Sequence, residues 1–177
     1  MHMTSQRRGC SCKDVPLLSF FLLCLVETKA QTDTLFWFAA PDLQQNHADR
    51  PILLRISSMG SPASVILSIP AKPSFVPINV NIPANSAQSV DLTNWIDLIE
   101  NAQYNTPSNK ALLIRSTAFI SCYYDIASAW NGDIFALKGF NGMGLKFTIP
   151  SQYFFSSSGS PSGYFSDFIV AATENNT

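Results

Sequence analysis

Apolar and polar positions alternate along most of this chain in short runs cut by turn residues, a pattern of strands. Thr34 to Ala40 (TLFWFAA) is short, apolar and aromatic and stops at Pro41, which predicts a first strand rather than a helix. Ile52 to Ile56 (ILLRI) and Ser64 to Ile69 (SVILSI) flank the turn-rich Ser57 to Pro62, a spacing that predicts a hairpin over 52–69. Pro70, Pro73 and Pro77 then predict an extended connection without a regular ladder. Ile78 to Ile82 (INVNI) has period two, the mark of a half-buried strand; Pro83 to Ser86 supplies a turn, and Gln88 to Leu92 a further strand. One short helix is predicted near 94–101, capped by Thr93 or Asn94, with Trp95, Ile96, Leu98 and Ile99 as its apolar face.

Lys110 to Ile126 (KALLIRSTAFISCYYDI) is the most apolar stretch of the chain beyond residue 30. Its β-branched and aromatic residues favour strand, and Arg115-Ser116-Thr117 supplies a break, so two strands in a hairpin or bulged arrangement are expected. Asp133 to Lys138, Lys146 to Ile149 and Phe165 to Ala172 are three more strand candidates. Short strands spaced in this way, with a single helix, predict an all-β fold, an antiparallel β-sandwich over 31–177. The last candidate strand lacks a successor to pair with, so the domain is expected to be the front part of a longer protein.

The first thirty residues follow a different pattern. Arg7, Arg8 and Lys13 precede the apolar run Leu17 to Val26, and Thr28-Lys29-Ala30 places small residues where a signal peptidase inspects them, so cleavage is expected between Ala30 and Gln31. This run of ten residues falls short of the roughly 20 a spanning helix needs. Leu23 before Cys24 is too large for lipoprotein processing, and no later segment is long and apolar enough to span. Secretion or display at the cell surface is the expectation. Removal of residues 1–30 takes four of 11 basic and two of 12 acidic residues, leaving 7 against 10 and a net charge of −3. With no cluster of Lys or Arg, this balance speaks against a nucleic-acid or anionic-membrane surface. It also removes Cys10, Cys12 and Cys24, leaving Cys122 without an internal disulfide partner and inside an apolar stretch, where an inert buried thiol is expected.

Candidate chemistry is sparse. His47, the one histidine beyond residue 30, is flanked by Asp42 and Asp49 in a polar loop, where a weak cation site competes with a plain solvated loop as the preferred reading. Asp125 and Asp133 bracket Trp130 and are the best carboxylate pair for glycoside chemistry, although loop carboxylates generally just face water. Trp130 with Tyr123, Tyr124 and Tyr153 offers faces for stacking on sugars, against the commoner use of such residues in a sandwich core. Gly159-Ser160-Pro161-Ser162-Gly163 has proline where a nucleophile elbow needs serine, and Gly139 to Gly144 has the wrong glycine order for a dinucleotide turn. The latter reads as a tight connection in which glycine permits positive φ. Asn175-Asn176-Thr177 matches an N-glycosylation acceptor. No catalytic, cofactor-binding or metal-ligating residue is assigned.

The order of FWFAAP (36–41), ILLRIS (52–57), ASVILSIP (63–70), NIPANSAQSVDL (81–92), NKALLIRSTAFISCYYD (109–125), GDIFALKGFNGMGLKFTIPSQYFF (132–155) and FSDFIVAATENNT (165–177) resembles the N-terminal region of the IgGFc-binding family. The best matches are Ser116 to Tyr123, Gly132 to Pro150 and Phe168 to Thr177. That family includes mucus-associated animal proteins and exported bacterial proteins, among them Bacteroidetes proteins with a C-terminal sorting domain; the resemblance implies a surface module and brings no catalytic residues. The leading expectation is thus an exported, non-enzymatic recognition or adhesion module for an extracellular protein or glycan, with Trp130 as a ligand contact. A carbohydrate-binding or carbohydrate-active domain and a structural spacer are the alternatives.

Overall fold

The computed structural model describes residues 31–43, 48–103, 105–129, 132–150 and 168–174. Among the described residues, nine strands run in the order β1 (Asp33–Phe38), β2 (Ala40–Pro41), β3 (Ile52–Ser58), β4 (Ala63–Ser68), β5 (Ile78–Ile82), β6 (Ala87–Asp91), β7 (Glu100–Asn101), β8 (Leu112–Ile126) and β9 (Asp133–Ala136). A 3-10 turn (Thr93–Trp95) leads into α1 (Ile96–Ile99), and a second 3-10 turn spans Gly139–Gly142. The fold is all-β, as the alternation implied. Seven strands form one antiparallel, nearly closed barrel-like sheet, and β2 and β7 form a small parallel ladder.

β8 organises the sheet, because each of its two halves is paired on both edges. Leu113, Ile114 and Arg115 sit between Trp37, Phe36 and Leu35 of β1 and Ser68, Leu67 and Ile66 of β4. Tyr123 to Ile126 sit between β3 and β9. β5 continues the sheet beyond β4, and β6 beyond β3. Between the halves the register slips, since Ser58 pairs with Ile120 but Val65 with Ser116. The Ser116 hydroxyl donates to Ala118 O (2.7 Å) and accepts from the Ala118 N–H (3.3 Å), a local turn that competes with the ladder and bulges the strand.

The two strands expected over 110–126 are instead one continuous strand, Leu112–Ile126, which carries the bulge without breaking. The hairpin expected over 52–69 is not formed: β3 and β4 both pair with β8, one after the other. Their sequence spacing suited a hairpin, but the shared long strand offers each of them a longer apolar edge. Thr93 and Asn94 do not cap the helix. Leu92 holds the cap position of the 3-10 turn, and the Thr93 hydroxyl instead accepts the Ile52 N–H (3.0 Å). The helical segment ends at Ile99, because Glu100 turns extended into β7. Lys146 to Ile149 carries no regular structure, with Phe147 and Ile149 exposed, and neither do residues 168–172. Residues 165–167 of the last candidate lie outside the described residues.

Alternate residues of the main strands point inward. The rows Phe36–Ile114–Leu67 and Phe135–Tyr124–Leu54–Val90 cross the sheet as core layers, joined by Ile56, Ile120, Cys122 and Ile126. Burying each such side chain contributes roughly 1.5–3 kcal/mol. Leu92, Ile96 and Ile99 add the helical segment to this core.

Candidate functional site

Among the described residues, two regions carry chemistry. The first is buried. The parallel ladder sets Ala40 opposite Glu100 and Pro41 opposite Asn101, and the Asn101 side-chain amide fastens it by donating to Ala40 O (3.0 Å). Asp42 follows directly on β2, so the ladder brings it to Glu100. Asp49 closes on the same place, with its Oδ2 accepting the Leu43 N–H (3.1 Å). Asp42, Asp49 and Glu100 each present a carboxylate oxygen within 4.8 Å of the others. Asp49 and Glu100 are fully buried. Lys110 Nζ donates to the Glu100 carbonyl (2.7 Å).

Tyr124 borders this cluster. Its ring packs on Phe38 (4.7 Å between centroids) and Phe135 (6.5 Å), and it has no exposed surface. Burial, then the negative charges of Glu100 and Asp49, push its phenol well above the usual value. Yet the Tyr124 hydroxyl, like Asp49 Oδ1, is buried with no hydrogen-bond partner among the described residues. Two ionised carboxylates at such spacing repel by about 3 kcal/mol at an effective dielectric near 20. Such a cluster therefore holds together through protons or positive charge.

The second region is the outer face of β1, β8, β4 and β5. Leu35, Arg115, Ile66 and Asn79 form one cross-strand row. Beside it the Ser64 hydroxyl donates to Asn81 Oδ1 (2.8 Å), and the Ser64 N–H donates to the Thr117 hydroxyl (2.9 Å). Ile66 and Phe119 remain 44% and 49% exposed.

The structure sorts the residues singled out from sequence. Tyr123 and Tyr124 are neighbours on one strand and so face opposite sides: Tyr124 is core, whereas Tyr123 is half-buried and donates to Gln31 Oε1 (3.4 Å). Asp125 and Asp133 do not form an acid–base pair. Asp125 lies opposite Ile134 and Asp133 opposite Ile126, so their side chains leave the sheet on opposite faces, and Asp125 is ion-paired to Arg55 (2.5 Å). Trp130, His47, Tyr153, Ala30 and Asn175 to Thr177 lie outside the described residues. Asp42 and Asp49 do come together, joined by Glu100, which no sequence motif marks.

Cys122 is buried in the core row with Ile56, and burial pushes its thiol from 9.0 up to about 12. The unfolded thiol ionises at lower pH than the folded one, so this contribution to stability is complete below about pH 9 and is lost as pH rises toward 12. We expect Cys122→Ala to flatten the alkaline fall of the urea midpoint. We also expect a thiol reagent to label wild type at pH 8 only at its unfolding rate; rapid labelling of the folded chain would contradict the burial.

Searches against protein-family models, curated proteins and solved structures gave no match to this chain. No helix among the described residues is long and apolar enough to cross a membrane.

Proposed function

We propose that this chain is an exported, non-catalytic recognition or adhesion module. Residues 1–30 act as its cleavable leader, and it works secreted or at the cell surface on an extracellular protein. The observation that carries this reading is the outer sheet face, where exposed Ile66 and Phe119 stand among uncharged Ser64, Asn79, Asn81 and Thr117 with Arg115 as the only charge of the set. Apolar anchors in a neutral polar surround suit a protein interface, in which a few buried side chains supply most of the affinity. The resemblance to the IgGFc-binding family supports the same surface role.

The test begins with secretion from a host that recognises the leader, where intact mass should show a chain beginning at Gln31. The product is then presented to immobilised extracellular-matrix proteins and to a glycan array. An Ile66→Asp/Phe119→Ser variant should lose at least tenfold in affinity for its protein partner while its circular dichroism is unchanged. Binding confined to glycans and abolished by Trp130→Ala would replace this reading with the carbohydrate one. Retention of the leader would remove the exported role.

A further inference from the structure

We propose that Asp42, Asp49, Glu100 and Tyr124 form a buried calcium site. Three carboxylates would not carry this by themselves. The independent observation is Tyr124, whose fully buried hydroxyl has no hydrogen-bond partner among the described residues although it feels the charges of Glu100 and Asp49. A buried phenol bonded to neither of two neighbouring carboxylates leaves its oxygen lone pairs, like theirs, open to a shared cation. The hydroxyl contributes directly or through a coordinated water.

The donor set selects the class of ion. All of these ligands are hard oxygens, which suit calcium and magnesium rather than zinc or copper. Spacing separates the two. Ligands on opposite sides of a calcium ion lie about 4.6–5.2 Å apart, whereas those of magnesium lie about 4.0–4.2 Å apart. The carboxylate oxygens here span up to 4.8 Å, a cage of calcium size. The cage is also held in shape before any ion enters. Asn101 locks the β2–β7 ladder, the Leu43 N–H fixes Asp49, and Phe38 and Phe135 fix the Tyr124 ring. Because the donors are Asp42 and Asp49, Glu100 of the ladder and Tyr124 of β8, a bound ion ties three distant parts of the chain together. It should therefore raise the melting temperature as well as bind.

The purified full chain, stripped with chelator, is titrated with calcium chloride by calorimetry, and its melting temperature is followed in parallel. One ion per chain is expected, with Kd in the range of about 10⁻⁵–10⁻³ M and a calcium-dependent rise in melting temperature. Asp49→Asn should weaken binding at least tenfold. Tyr124→Phe keeps the packed ring and deletes only the hydroxyl, so a several-fold weaker Kd with the fold intact separates a ligand role from a core role. Three results would overturn the proposal: no heat and no thermal shift with calcium in the folded wild type, binding that Asp49→Asn and Tyr124→Phe leave unchanged, or magnesium bound as tightly as calcium.

Discussion

Ile114→Ala should lower the unfolding free energy by about 2–5 kcal/mol, the cost typical of emptying a fully buried aliphatic site. Ile114 has no exposed surface and lies between Phe36 of β1 and Leu67 of β4, so its side chain fills the centre of a row that belongs to three strands. Neither neighbour can close the gap without shifting its own ladder, which places the substitution toward the upper half of that range. Many domains hold only about 5–15 kcal/mol in total. The variant should therefore show a much lower urea midpoint with an unchanged slope, followed by tryptophan fluorescence. Arg115→Ala, one residue along and facing solvent, should shift the midpoint little. Equal effects at 114 and 115 would contradict the assigned faces of β8.

Strand positions are legible in the sequence because alternation is a local property. Ile78–Ile82 shows the pattern and forms the strand, and even-numbered residues from Leu112 to Ile126 mark the buried side of β8 except near its bulge. Pairing is less legible. Ser57 to Pro62 has the composition of a hairpin turn, but turn composition does not say whether the flanking strands meet each other or a third strand. Lys146 to Ile149 alternates as well as β5 does, yet without a partner edge among the described residues it stays irregular with its apolar side chains exposed. Alternation reports a preference; a ladder needs a second strand.

The acidic cluster is half legible for a related reason. Asp42 and Asp49 are close in sequence, so their convergence is open to view. Glu100 reaches them only through a two-residue parallel ladder that periodicity cannot reveal at such a length. Residue type alone groups Tyr124 with Tyr123 as an aromatic that could stack on a ligand. Strand parity separates the two, since Leu54 and Phe135 pair with Tyr124 while Arg55 pairs with Tyr123. Followed along 110–126, that parity sends Tyr124 inward toward the buried carboxylates and leaves Tyr123 on the outer face.

The other large effect is expected at Gly139, where the chain takes φ +57° to begin its 3-10 turn against the start of β1. A Cβ at this position would lie 2.5 Å from both Cβ and Oδ2 of Asp33. The aspartate cannot simply retreat, because its Oδ2 accepts the Phe140 N–H (2.6 Å) and its Oδ1 accepts the Thr34 N–H (2.7 Å). Gly139→Ala thus combines a left-handed backbone, costing about 1–2 kcal/mol, with loss of a hydrogen bond to a charged group, worth about 1.5–3 kcal/mol. A total destabilisation of about 2.5–5 kcal/mol should follow, read as a lower urea midpoint. Asp33→Ala alone should cost the hydrogen bonds but not the backbone strain. In that background the added methyl no longer meets the carboxylate oxygen and no longer breaks a bond, so Gly139→Ala should cost less than in wild type, leaving the backbone term and the contact with the Cβ of residue 33. A double-mutant cycle measures the difference directly. Strict additivity would mean that the Asp33 carboxylate is not coupled to position 139 and does not hold the turn against β1.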